Sequence, residues 1–157
     1  MEPRIERLTQ KKLIGKRMEM SFSDNRTFEL WRGFMPRRAE VRDVIGTDLF
    51  SVQSYAPRFF DPLDPAKIFD KWAAVEVTDF THIPEGMETL ILPDGLYAVF
   101  IYHGAASAAS PFFQYILGTW LPQSQYTLDD RPHFEILGDK YRNEHPDSEE
   151  EIWIPIR

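Results

Sequence analysis

The closing run Glu151-Ile152-Trp153-Ile154-Pro155-Ile156 limits the fold more than any other part of the chain. Ile152, Ile154 and Ile156 recur at every second position, the period of a β-strand, and form a continuous apolar face that needs a layer packed against it. Parity turns Glu151, Trp153 and Pro155 to the other side. The same rule makes Val75 and Val77 core and turns Trp72, Ala74 and Glu76 away. It makes Phe134 and Ile136 core and turns Glu135 and Leu137 away. In the run from Phe50 to Tyr55, Phe50 and Val52 as core leave Gln53 and Tyr55 on the opposite side. A solvated strand face normally carries Lys, Thr or Ser. A face bearing Glu135, Leu137 and Trp153 therefore reads as the wall of a pocket.

The order of elements supports a sheet of such strands. Lys12 to Ser21 reads as a strand, and Ser23-Asp24-Asn25 supplies capping chemistry for a helix with Phe28, Trp31, Phe34 and Met35 at helical spacing, which Pro36 should kink or end. Strands follow at Phe50 to Tyr55, Trp72 to Thr78 and Glu88 to Leu92, with the proline-rich stretch from Ala56 to Pro65 as an ordered loop. The second half repeats the pattern. A turn at Pro93-Asp94-Gly95 leads into a strand from Leu96 to His103, then a helix from about Pro111 to Trp120 that Leu121-Pro122 stops. Strands at His133 to Leu137 and Glu151 to Ile156 complete it. Two strand-helix-strand-strand units predict a single α+β domain over 1–157, an antiparallel sheet layer with two helices on one face and a ligand groove on the other.

Composition removes several function classes. Net charge is −7, so the basic stripe that a nucleic-acid surface needs is missing, and Lys11-Lys12, Lys16-Arg17 and Arg37-Arg38 read as solvated faces. There is no cysteine, which excludes disulfides, thiolate metal sites and a cysteine nucleophile. The four histidines are scattered without an i, i+4 pair, so neither a metal nor another cofactor is expected. No apolar run has signal-peptide or membrane-spanning length, which points to a cytoplasmic protein without membrane contact.

What remains is the groove. Taken singly, Glu76 and Glu135 read as exposed strand residues, and Trp120 and Trp153 as core. Together, Glu135, Glu76, Trp72, Trp120, Trp153, Tyr55 and Leu137 converge on one face, and acids among rings are seldom solvated as a group. A carboxylate in an aromatic box needs a cation or a donor, and rings add cation–π attraction of roughly 0.5–2 kcal/mol. The expected ligand is a small lipophilic, aromatic and cationic molecule.

The runs Leu30-Trp31-Arg32-Gly33-Phe34-Met35-Pro36-Arg37-Arg38, Leu92 to Phe100, Gly118-Thr119-Trp120-Leu121-Pro122, His133-Phe134-Glu135 and Ile152 to Ile156 together resemble the GyrI-like small-molecule-binding domain, which also serves as the effector-binding part of AraC-type and MerR-type regulators. The resemblance implies the tandem SHS2-type fold and a ligand groove between its halves, and it sets the buried glutamate of multidrug-sensing members at Glu135. Trp153 departs from the tyrosine of some drug-binding relatives, and Glu76 matches nothing in their pattern. The chain has no room for a helix-turn-helix, so a stand-alone sequestering domain is expected. A second implied class is a hydrolase of strained-ring alkylating natural products, with Glu135 as base and Tyr55 as acid. With no dedicated nucleophile, binding is favoured over catalysis. A third is a protein-interaction role, with a regulator or a topoisomerase as partner.

Overall fold

Two short links decide the architecture of the computed structural model, which describes residues 2–157. Strand β1 (Arg4–Leu8) runs through Thr9 and Gln10 into β2 (Lys11–Met20), and β5 (Glu88–Leu92) runs through Pro93 and Asp94 into β6 (Gly95–His103). Yet β1 pairs with β6, and β5 with β2. With β3 (Leu49–Ser54), β4 (Phe69–Val77), β7 (His133–Leu137) and β8 (Glu149–Pro155), the eight-stranded order is β1-β6-β8-β7-β3-β4-β2-β5. Each short link joins an edge strand to the neighbour of the opposite edge, so the sheet must roll until its edges approach. The Gln10 N–H donates to the Asp94 carboxylate and ties the two links together. Every pairing is antiparallel.

Rolling gives the sheet two unlike faces. On the inner face all eight strands contribute side chains to one core: Leu8, Leu13, Phe50, Val52, Trp72, Ala74, Leu92, Tyr97, Val99, Phe134 and Trp153. Among the described residues no helix contributes to this core; the curl packs the face against itself. Gly15 marks how closely the strands approach, because a Cβ there would collide with Ala73 and Ala74. The outer face carries two helical packages. Helix α1 (Thr27–Phe34) seats Leu30 and Phe34 on Ile14, Ala73, Val75 and Val77. Helix α2 (Ser110–Tyr115), continued by a π-helical turn over Ile116–Trp120, covers Ala98, Phe100, Ile152, Ile154 and Ile156.

The expected α+β repeat is present, as β2-α1-β3-β4 and β6-α2-β7-β8, and Ile152 and Ile154 of β8, Ile156 just after it and both valines of β4 lie beneath helices as predicted. The parities of β3 and β7 are the reverse of the expected ones: Phe50 and Val52 join the inner core, which turns Gln53 and Tyr55 to the helix-bearing face. Phe134 pairs with Trp153 and stacks on it at 5.2 Å, so it faces the inner core, with Ile136 packed at the same side. Glu135 pairs with Ile152 and shares the helix-bearing face. The reason is physical: β7 is a central strand buried on both sides, and such a strand has no solvated face for alternation to reveal.

Smaller corrections follow from the packing. On α1 the buried residues are Leu30 and Phe34, while Phe28 is 78% exposed and Met35 is also exposed. Asn25 accepts the Thr27 N–H at 3.0 Å ahead of that helix. Pro36 opens a 3₁₀ segment over Met35–Glu40. Leu121-Pro122 does not stop the second helix, because Pro122 stands in the first turn of a last segment, Leu121–Gln123, where no N–H is required. Strand β1, mostly exposed, has no counterpart in the sequence reading.

Candidate functional site

Between the helical packages, the outer face of the central strands β3 and β7 is lined by polar groups. Register places Ser51 opposite Glu135 and Gln53 opposite His133, with Lys71 of β4 beside Gln53. Ser51, Gln53, His133 and Glu135 are all buried, each between 6 and 7% exposed. Glu150 of β8 is buried too and stands two residues from Ile152, the partner of Glu135, so the two acidic residues are roughly 8 Å apart at Cα. Gln53 Nε2 donates to Glu135 Oε1 at 3.1 Å and reaches Ser51 Oγ at 3.4 Å. Glu135 Oε2 is buried with no hydrogen-bond partner among the described residues. Lys71 Nζ donates to Thr27 Oγ1 at 3.0 Å, at the start of α1.

Burial dominates the charge states. It pushes the Glu135 carboxyl up to about 7, against the opposing pull of Lys71 and the Gln53 and Ser51 hydrogen bonds. Glu150 rises to about 8, through burial and then the charge of Glu135, with Lys71 opposing. Burial draws the Lys71 ammonium below the usual lysine range while both acids pull it back. His133 falls to about 3, so its imidazole is neutral at physiological pH. Tyr55 is raised by burial and by Glu135, and its phenol stays protonated.

A pocket lined by rings and by charged residues, among them Arg58, Arg157, Asp61, Asp129 and Asp130, opens next to this floor. A cavity of 410 Å³ is lined by Tyr55, Phe59, Phe60, His133, Leu117 and Arg131, among others. The Tyr55 ring lies 4.6 Å from Phe59, 4.8 Å from Phe60 and 4.9 Å from His133. His133 is two residues from Glu135 on the same face, about 7 Å along the strand, so the inner wall of the pocket stands one side chain from the unpartnered carboxylate oxygen.

The residues expected from sequence divide three ways. Tyr55, Glu135 and Leu137 share the helix-bearing face of β3 and β7. Trp72 and Trp153 belong to the inner core, and the Trp153 indole N–H donates to Glu151 at 3.0 Å. Glu76 pairs with Leu13, on the inner side, and its carboxylate meets Lys11 at 3.3 Å. Trp120 packs on Phe100 at 5.2 Å and lines a separate cavity with Tyr115 and Tyr126. The expected convergence of Trp153, Trp120 and Tyr55 on one cavity is therefore corrected: the first two serve other surfaces. Sequence reasoning missed Lys71 and Glu150. Both stand on the apolar parity of their strands, Lys71 before Ala73, Val75 and Val77, and Glu150 before Ile152, Ile154 and Ile156. A charge on a core parity is the signal that could have found them. Among the described residues, no group of three or more His, Asp or Glu side chains could hold a metal ion.

The model of the GyrI-like small-molecule-binding domain matches residues 1–157. The chain belongs to that family. Solved GyrI-like folds agree along its whole length. The structure of SAV2435 bound to tetraphenylphosphonium superposes with a TM-score of 0.70 at 20% identity, covering 100% of this chain and 94% of that one. The C-terminal domain of EcmrR gives 0.69 at 12% identity, covering 99% and 97%. A hydrolase encoded by lin2189 from Listeria innocua gives 0.56 at 10% identity, covering 99% and 93%. These likenesses are likenesses of fold. No curated protein matches the chain by sequence. Among the described residues, no helix of this GyrI-like domain is long and apolar enough to cross a membrane.

Proposed function

We propose that this GyrI-like domain binds and sequesters lipophilic aromatic cations in the cytoplasm, with the cation held between the rings around Tyr55 and the carboxylate of Glu135. One observation carries the reading: Glu135 Oε2 is buried, unpartnered and one side chain from an aromatic cavity. A buried carboxylate oxygen without a donor is costly, and a cation entering through the ring wall removes that penalty while gaining ring attraction. The tetraphenylphosphonium bound to SAV2435 is a ligand of this chemical class, and the shared fold supports the transfer. The role of Trp153 as a ligand contact is not carried forward, because it faces the inner core.

Calorimetric titration with tetraphenylphosphonium and with neutral triphenylphosphine oxide tests the proposal at pH 8, where Glu135 is ionised. Glu135→Gln should weaken cation binding by about tenfold or more, as loss of a close charge partner does, and leave the neutral ligand unaffected. Equal loss for both ligands would mean that Glu135 shapes the pocket without selecting charge.

One observation favours a second reading. A carboxyl raised to about 7 is suited to move protons near neutral pH, and Tyr55, held protonated, can donate a hydrogen bond to a substrate. In this reading the groove hydrolyses strained-ring alkylating compounds with Glu135 as general base. Mass spectrometry after incubation with such a compound decides it: a water adduct formed by the parent and not by Glu135→Gln supports hydrolysis, and unchanged substrate rejects it.

A further inference from the structure

The groove already contains a cation. Lys71 extends from β4 across the helix-bearing face, and its charge acts on both Glu135 and Glu150. It makes no ion pair within 4.0 Å with either acid among the described residues, and its ammonium is held by Thr27 Oγ1 at 3.0 Å. The Cα positions of Lys71 and Glu135 are roughly 12 Å apart, two strand spacings across and one residue pair along. Two extended side chains can bridge that gap, yet Glu135 Oε2 stays unpartnered. A half-buried lysine and a buried carboxylate that could meet are thus separate, with the ammonium on a hydroxyl at the first residue of α1.

We infer that Lys71 is a resident competing cation, tethered by Thr27, that sets how strongly a ligand must be charged and how much apolar surface it must bury to take over the field of Glu135. The inference rests on the cation-binding reading above and adds its specificity determinant. Lys71 opposes an incoming cation by like-charge repulsion and lowers the negative charge of the floor. Thr27 prevents it from closing the site altogether, because a freed ammonium would pair with Oε2 and occupy the ligand's place. Ligands that carry charge but little apolar surface are rejected, since they gain nothing from the rings to offset that repulsion. The other ionisable groups facing the lysine are Glu135 and His133 of β7, Glu150 of β8 and Tyr55 at the end of β3. His133 stays neutral and Tyr55 protonated, so the two acids and the lysine carry the pH dependence.

Two substitutions should have opposite effects on tetraphenylphosphonium affinity. Lys71→Met removes the competitor and should tighten binding by about tenfold, the scale of one unit charge some 10 Å away in a protein environment. Lys71→Arg, which keeps the charge, should show no gain. Thr27→Val keeps the shape of the holder, frees the ammonium and should weaken binding several-fold. The Lys71→Met gain should be largest at pH 6, where protonated Glu135 and Glu150 do not offset the repulsion between lysine and ligand. It should shrink as pH rises, because without Lys71 the two acids hold their protons to higher pH, and it should vanish once the parent lysine deprotonates.

Calorimetric titration of the parent and the three variants between pH 6 and 10, with melting curves to confirm folding, reads all of this. Equal affinity of parent and Lys71→Met across the range, an equal gain in Lys71→Arg, or tighter binding by Thr27→Val would each overturn the inference while leaving the cation site standing. Absence of binding by the parent and every variant would remove the cation-binding reading and this inference with it. Should Lys71→Met fail to fold, the parent alone decides. The ε-carbon resonance of Lys71 must shift on addition of tetraphenylphosphonium, and an unmoved resonance overturns the inference.

Discussion

The two faces of the rolled sheet are built from the same strands and solve opposite problems. The inner face is apolar across all eight strands and buried by the curl, with Trp153 stacked on Phe134. The outer face is apolar only beneath its helices. Between them it leaves Ser51, Gln53, Lys71, His133, Glu135 and Glu150, of which all but Lys71 are buried. Residues that neighbour one another in sequence, Phe134 and Glu135, therefore belong to different functions. The inner face holds the sheet in shape; the outer one carries groups whose burial weakens the fold and becomes useful when a ligand arrives.

The largest expected effect tests the inner face. Trp153→Ala should destabilise the protein by about 3–5 kcal/mol in denaturant unfolding, as large-to-small core changes do, and what remains folded should bind tetraphenylphosphonium as the parent does. A stable Trp153→Ala protein that has lost binding would move the ligand to the inner face.

Next is the pH dependence of stability on the outer face. The Glu135 carboxyl is raised to about 7 in the folded state against 4.5 ordinarily, so the unfolded chain releases its proton first. Stability is full below about 4.5 and falls as pH rises through about 7, by on the order of 3 kcal/mol from this residue. Glu150, raised to about 8, adds a loss of the same sign at higher pH. Unfolding curves from pH 4 to 9 should show that Glu135→Gln flattens the lower part of this decline. An unchanged profile would mean that Glu135 is solvated and the outer face is an ordinary surface.

The smallest expected effect sets the baseline. Phe28 is 78% exposed on α1, so Phe28→Ser should alter stability by less than about 0.5 kcal/mol. A larger loss would show that the outer package around α1 extends further than its contacts indicate.

How much of this was legible in the sequence varied with how each strand is buried. Ile152 and Ile154 of β8, Ile156 after it and the valines of β4 have contrasting neighbours, so period two assigned them to the helix-bearing face correctly. In β7 both parities are buried, and Phe134, the most apolar residue, was taken to mark the helix side when it marks the inner one. Parity set Glu135 opposite Phe134 and the resemblance independently marked it as the buried acid, but the face it occupies is the helix-bearing one. Trp153 and Trp72 read as pocket wall because a flat sheet layer offers no second core. The roll that creates one depends on β1 exchanging places with β5, a long-range pairing that no local pattern encodes. Lys71 and Glu150 each lie one residue before the strand starts expected at Trp72 and Glu151, so their place on an apolar parity went unread.

The comparison of the faces comes down to where a ligand sits. A crystal structure of the protein soaked with tetraphenylphosphonium at pH 8 measures this directly. Phosphonium density is expected on the helix-bearing face, among Tyr55, Phe59, Phe60 and His133, with the cation centre within about 6 Å of a ring centroid and facing the Glu135 carboxylate. Density against Trp72 and Trp153 on the inner face, with Glu135 still unpartnered, would contradict that expectation.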